Sequence, residues 1–365
     1  MHELVVPTFA LIGGLVFLVM GGESLVRGAS QFAAAMRVSP LVIGLTVVAF
    51  ATSAPELAVC LHSALDGNAD IAIGNAVGSN IFNVLFILGV SALVVPLVVS
   101  SQLIRWDVPL MVGASFLMFL LAWDGSIGRL DGMILFSGVV LYTWWCVRNG
   151  GAEVAEVQEE FARDIPQVRT RPRDFLVNVL WIAGGLVALG LGSNLLVHGA
   201  VATATYFGVS QLVIGLTVVS IGTSLPEVVT SVVAAFRGER DIAVGNVVGS
   251  NLFNILCVLG LSAIASPHGV SVSAAALRFD IPVMLAVAVS CLPIFFTGNV
   301  IARWEGGLFF FYYLAYTTYL VLDAAHHTLL QPFANVMLLF VIPLTVVTLM
   351  ITVYRAWQVR VPQTP

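Results

Sequence analysis

The chain has 365 residues, of which 59% are hydrophobic and only 10% charged, with a formal net charge of −5. A soluble domain carries about 25% charged residues, so this composition excludes an ordinary soluble protein. Apolar stretches of about 20 residues recur from end to end, the mark of an all-α polytopic membrane protein. No basic patch with interleaved aromatics supports nucleic-acid binding.

Eleven spans are predicted, near 5–25, 39–64, 71–95, 107–123, 129–147, 175–196, 210–235, 242–265, 280–297, 305–323 and 333–354. The first has an acidic flank and the length of a span, so it does not read as a cleavable signal peptide. Span two is interrupted by T-S-A-P-E at 52–56, and span seven by T-S-L-P-E at 223–227. Asp70 and Asp241 precede spans three and eight and read as helix N-caps. The one long polar segment is 148–174, with five arginines and six acids, and reads as a solvated linker. Cys60, Cys146, Cys257 and Cys291 lie in or beside apolar segments without metal-ligand spacing and read as small buried residues.

The chain contains no lysine, so orientation is read from arginine alone. With the N-terminus outside, 13 of the 15 arginines fall in cytoplasmic loops, the linker or the tail, leaving Arg129 and Arg278 outside. The expectation is N-terminus outside, linker and C-terminus cytoplasmic.

The sequence repeats at an offset of 171. V-I-G-L-T-V-V-A-F-A-T-S-A-P-E (42–56) matches V-I-G-L-T-V-V-S-I-G-T-S-L-P-E (213–227), and 70–91 matches 241–262 at 15 of 22 positions. L-V-R-G-A (25–29) aligns with L-V-H-G-A (196–200), and R-W-D-V-P (105–109) with R-F-D-I-P (278–282). Each repeat holds five spans, and an odd number inverts the second relative to the first. Transporters built this way carry their site at the midplane, on interrupted helices. The expected division is a first repeat at 1–147 with its motif at about 39–95, the linker 148–174, a second repeat at 175–323 with its motif at about 210–265, and an extra C-terminal helix and tail at 324–365. The architecture is thus ten core helices as two inverted five-helix repeats plus an eleventh.

Pro55 cannot donate a backbone hydrogen bond to the Ala51 carbonyl, and Pro226 cannot donate to that of Gly222. In lipid a freed carbonyl costs several kcal/mol unless it is satisfied. Thr52, Ser53 and Glu56 lie within a turn of the first break, Thr223, Ser224 and Glu227 within a turn of the second. A lone proline in a membrane helix is often only a packing kink. An ionisable group at the bilayer centre, however, costs about 2.5–3.5 kcal/mol on insertion scales and signals function, and here it occurs twice. Asn75, Ser79 and Asn83 recur every four residues and form one polar stripe on span three, as Asn246, Ser250 and Asn254 do on span eight. Gly74, Gly78, Gly245 and Gly249 read as close-packing positions. Asn80 and Asn251 lie about 100° off the stripe and read as structural. Every candidate donor is an oxygen, which suits hard cations such as Ca2+ and Na+. Two carboxylates balance one Ca2+, two Na+ or two protons. An intramembrane hydrolase is disfavoured because His62 has no counterpart in the second repeat, where Val233 stands. A channel is disfavoured by the repeat plan.

These repeats resemble the α-repeats of the cation/Ca2+ antiporter superfamily, and its prokaryotic sodium/calcium exchanger family in particular. The carrying motifs are T-S-A-P-E with G-N-A-V-G-S-N-I-F-N and G-T-S-L-P-E with G-N-V-V-G-S-N-L-F-N. The resemblance implies a non-enzymatic antiporter that exchanges Ca2+ for Na+ by alternating access, without a cofactor. It implies that Glu56 and Glu227 are ligands shared by both ions and that Thr52, Ser53, Thr223 and Ser224 supply oxygens. The backbone carbonyls of Ala49 and Ser220 would join them, and Ser79, Asn83 and Ser250 would complete the Na+ positions. Asn254 stands where members often carry Asp, which removes one titratable group and leaves an H+-coupled Ca2+ or divalent antiporter as the alternative. The expected partners are the two ions and the lipid bilayer. The arginine-only basic composition fits a GC-rich bacterium and hence its inner membrane.

Overall fold

A computed structural model describes residues 2–36, 38–161, 172–206 and 220–360. The apolar segments form α1 (His2–Met36), the bent pair α2 (Pro40–Thr52) and α3 (Ala54–Leu65), α4 (Ala69–Val94), α5 (Leu103–Asp124) and α6 (Arg129–Phe161). The second half follows with α7 (Pro172–Tyr206), the short α8 (Ser220–Thr223), α9 (Leu225–Phe236), α10 (Arg240–Ala265), α11 (Ala276–Phe296) and α12 (Arg303–Ala324). The C-terminal helix is α13 (Leu330–Ala356). Among the described residues, eight helices are long and apolar enough to cross a bilayer, or nine with the bent pair counted as one crossing. The predicted span at 305–323 forms α12 but is not among them, because tyrosines and threonines lower its hydropathy. The first part of the predicted span 210–235, residues 210–219, lies outside the described residues.

Two boundaries differ from the sequence reading. The helix of span five runs on to Phe161, so the first half of the predicted linker is helical. Asp70 and Asp241 are not N-caps: the helices begin at Ala69 and Arg240, preceded by Asn68 and Glu239, and neither cap makes a side-chain bond. The two carboxylates instead sit in the first helical turn, where negative charge meets the positive end of the helix dipole.

α4 and α10 form the centre of the bundle, and the middle helices pack against them. Gly249 lets α10 lie directly on α2, since a Cβ there would stand 2.6 Å from the Leu45 carbonyl oxygen. The equivalent contacts of Gly74 and Gly78 would involve residues 212 and 216, outside the described residues. α1 and α7 pack on one another along their length, backbone to backbone. A Cβ on Gly21 would fall 2.7 Å from the Leu189 amide nitrogen, and one on Gly185 2.6 Å from that of Leu25. These two helices expose most of their remaining surface.

The pattern gave no sign of two short antiparallel ladders. β1 (Leu97–Val98), between α4 and α5, pairs with β4 (Val300–Ile301), between α11 and α12. β2 (Ser126–Ile127), between α5 and α6, pairs with β3 (Val270–Ser271), between α10 and α11. Each ladder joins a loop of the first half of the chain to a loop of the second, so the two halves are tied at two places that do not involve α1 or α7.

Candidate cation site

The chain bends by 45° between α2 and α3, at the T-S-A-P-E segment. α9 begins in the same way, with Pro226 in its first turn after Ser224. Proline is tolerated in a first turn because its missing N–H has no helical partner there. Each Glu therefore stands at the N-terminal end of a helix, where the dipole favours negative charge. Glu56 and Glu227 are 0% and 1% exposed.

The two halves exchange partners across the centre. Ser224 Oγ donates to Glu56 Oε1 at 2.9 Å, and Ser53 Oγ donates to Glu227 Oε1 at 3.3 Å. Thr52 Oγ1 donates to Asn246 Oδ1 at 3.1 Å, and Thr223 Oγ1 to Asn75 Oδ1 at 3.5 Å. Asn246 Nδ2 donates to Ser231 Oγ at 3.0 Å and Asn75 Nδ2 to Cys60 Sγ at 3.2 Å. Ser231 and Cys60 occupy equivalent positions in the repeat. Ser79 Oγ lies 3.3 Å from Ser224 Oγ, and Ser250 Oγ 3.5 Å from Thr52 Oγ1. The motif residues of both halves thus meet in one cluster.

Asn83 and Asn254 follow one turn beyond Ser79 and Ser250 on the same stripes, and their orientation is fixed by the residues the stripe set aside. Asn83 Nδ2 donates to Asn251 Oδ1 at 3.0 Å, and Asn254 Nδ2 to Asn80 Oδ1 at 3.1 Å. Asn80 and Asn251 in turn donate to each other's backbone carbonyl, at 3.3 and 3.4 Å. Each also reaches a methionine sulfur of the opposite half, Met284 and Met111. Their identity in both repeats was the sequence signal for this role. Asn83 and Asn254 also open widened i→i+5 turns, Asn83–Leu88 and Asn254–Leu259, a local geometry often found at functional sites.

With their amide nitrogens so engaged, Asn83 and Asn254 leave their Oδ1 atoms buried and without a partner, as are Glu56 Oε2 and Glu227 Oε2. These four oxygens form two pairs related by the repeat. A buried acceptor left unpaired costs about 1–3 kcal/mol. Cations offer the missing interaction, and oxygen is the donor that hard cations take.

Some predicted members sit differently. The Gly222 carbonyl, expected to be free, accepts a hydrogen bond from Ser193 Oγ of α7. Gly22 stands at the equivalent place in α1, so this bond belongs to the second half alone. The Ala49 carbonyl accepts from Ser53 N at 3.0 Å, with Thr52 Oγ1 3.3 Å away, so it is engaged within its own turn. Ser220 opens α8, and its side chain lies outside the described set. All four cysteines are buried and free.

An oxygen-lined cluster with two buried carboxylates on broken helices, inside a helical membrane fold, defines a cation-handling membrane protein. The family model for sodium/calcium exchanger protein matches residues 6–148 and 177–322. The chain is 40% identical over 291 residues to a putative antiporter, CaxA of Alkalimonas amylolytica, covering 79% of this chain and 89% of that one. It is 39% identical over 288 residues to the inner membrane protein YrbG of Escherichia coli, covering 78% and 87%, and 33% identical over 337 residues to the sodium/calcium exchanger MaX1 of Methanosarcina acetivorans, covering 84% and 96%. The solved structure of the sodium-calcium exchanger NCX_Mj, soaked with Na+ and Sr2+, superposes with a TM-score of 0.73 at 28% identity, covering 85% of this chain and 97% of that one. The chain belongs to the sodium/calcium exchanger family, within the cation/Ca2+ antiporter superfamily. The family match ends at residue 322, so α13 lies beyond it.

Proposed function

We propose that the protein exchanges Ca2+ for Na+ across the membrane by alternating access, using one shared oxygen site at the midplane. The observation that carries this reading is the set of four buried, unpartnered acceptors, Glu56 Oε2, Glu227 Oε2, Asn83 Oδ1 and Asn254 Oδ1. Two carboxylates balance one Ca2+ or two monovalent ions, so competing ions share the same charge. An empty, doubly negative site is costly to carry through a low-dielectric barrier, which disfavours reorientation without cargo. Thr52, Ser53, Ser79, Thr223, Ser224 and Ser250 supply the hydroxyl oxygens around the carboxylates. The Ala49 carbonyl joins only if its local turn opens, and the Ser220 carbonyl joins from the second half.

The same reading takes the chain as two inverted five-span repeats, 1–147 and 175–323, joined by a cytoplasmic linker and followed by an eleventh span. The N-terminus is outside, and the membrane is a bacterial inner membrane, as YrbG's description says of that relative. Alternating access is supported by the contrast between the α1–α7 pair and the rest. Glycine contacts lock α1 and α7 to each other as one unit, whereas the strand ladders bind the other loops together. Sliding of the pair past the site would open one side while closing the other.

Asn254 favours a second reading, proton coupling, because it leaves the site with two carboxylates. The deciding experiment uses inside-out vesicles that carry the protein, with radioactive Ca2+ added to the outside. A Na+ gradient and a pH gradient are imposed one at a time. Uptake that follows the Na+ gradient supports the proposal. Uptake that follows only the pH gradient replaces Na+ with H+, and no counter-ion dependence at all refutes antiport.

A further inference from the structure

α13 does not pack closely on the bundle. Apart from the Tyr312–Thr345 bond it stands off from α11 and α12 and leaves a partly open cavity of about 460 Å3 between them. The walls include Val283 and Ala286 of α11, Phe309 of α12, Ala334 and Leu338 of α13, and Leu85 of α4. Leu85 lies two residues beyond Asn83, in the same widened turn.

The lining offers a ligand little to hydrogen-bond. Ser290 Oγ donates to the Val287 carbonyl at 2.7 Å, and Tyr312 OH to Thr345 Oγ1 at 2.7 Å. Thr345 Oγ1 donates to the Val341 carbonyl at 2.9 Å, and Tyr316 OH to Asp280 at 3.0 Å. A stable water needs two to four polar partners, and these hydroxyls already have theirs. An ion finds no charge within the walls. The occupant must be hydrocarbon.

Shape narrows it further. Along α11 the lining runs from Phe279 to Ile294, about 22 Å at 1.5 Å per residue. Even all the space between the helices and at the open mouth, about 1390 Å3, spread over that length has a mean section of only about 60 Å2, below the roughly 80–110 Å2 of a helix 10–12 Å across. The slot is too thin for a helix from a second copy and suits one extended chain. At one end Phe279 and Tyr319 stack at 4.3 Å, like the aromatic residues that gather at membrane interfaces.

We propose that this slot binds one acyl chain of a bilayer phospholipid, held between α13 and the α11–α12 pair. Among the described residues the first half has no such slot, because no described helix covers the equivalent face of α5 and α6. Gly113, the counterpart of Ala286 by alignment of 105–109 with 278–282, has open space where its Cβ would lie.

The test is retention of lipid by the full chain, purified in mild detergent and washed to strip loosely bound lipid. Native mass spectrometry and a phosphorus assay are expected to find one phospholipid per wild-type chain. Ala286→Phe with Ala334→Phe, which fills the slot from two walls, is expected to retain none. Its melting temperature should no longer rise when palmitoyl-oleoyl phosphatidylglycerol is added back, whereas the wild type should recover several degrees. Gly113→Phe should behave as wild type. If the double variant fails to fold, each single variant is measured, and each is expected to lose at least half of the retained lipid. Absence of retained lipid in the wild type overturns the proposal. So does equal retention by the slot-filled variants, loss in Gly113→Phe, or a dimer joined through α13 in place of lipid.

Discussion

Replacing Asn251 by alanine removes the acceptor that holds the Asn83 amide, without touching either carboxylate. In the structure Asn83 Nδ2 donates to Asn251 Oδ1 at 3.0 Å, with both side chains buried. Loss of that bond leaves a buried donor unsatisfied, at about 1–3 kcal/mol. The amide can recover part of this by rotating its NH2 toward Glu56 or Glu227, which turns a cation-facing acceptor into a donor. If Asn83 Oδ1 is a ligand, the loss appears as weaker cation binding by the same amount, about 5- to 150-fold in apparent affinity. The assay is Ca2+ uptake in proteoliposomes over a range of Ca2+ concentrations, with thermal melting measured in parallel. Asn80→Ala should reproduce the effect through Asn254, because the bonds are related by the repeat. A melting temperature that falls while the Ca2+ concentration for half-maximal uptake stays within twofold would refute the reasoning, since it would make these amides structural and not ligand-orienting.

Glu56→Gln and Glu227→Gln are each expected to abolish Ca2+ flux while leaving the protein inserted and folded, as judged by uptake and size-exclusion profile; normal flux in either removes that residue from the site. Asn254→Asp adds a titratable group beside Asn80 and is expected to change the Na+ dependence of uptake more than the melting temperature; an unchanged Na+ dependence removes position 254 from the coupling site. Gly249→Val would press a side chain against the Leu45 carbonyl and Ala49 Cβ, 2.6 and 2.7 Å from the added Cβ. Overpacking of this kind costs about 1–3 kcal/mol, so the melting temperature should drop clearly, whereas Gly113→Val, at an exposed position with open space among the described residues, should drop it less.

The sequence by itself determined the membrane class, the repeat and the chemistry of the cluster. Hydropathy and length suffice for most of the spans, because lipid forces each crossing segment to satisfy its own backbone; α12, at 305–323, is the exception. The breaks at T-S-A-P-E and T-S-L-P-E were legible because proline and glutamate violate that rule at matching places. Tertiary structure decided which oxygens are free. The spacing of Asn75, Ser79 and Asn83 is a property of one helix, but an amide's direction depends on what faces it from another. Hence Asn80 and Asn251, off the stripe, turn out to hold the Asn83 and Asn254 amides. The Gly222 carbonyl, freed by a local rule, is recaptured by Ser193 from a helix 29 residues away in sequence. The strand ladders and the slot under α13 were equally illegible, since two-residue strands and the gap beside a helix leave no periodic trace. Composition along one chain fixes what each segment must bury, but only the meeting of segments fixes which polar atoms remain unpaired and which apolar walls remain uncovered.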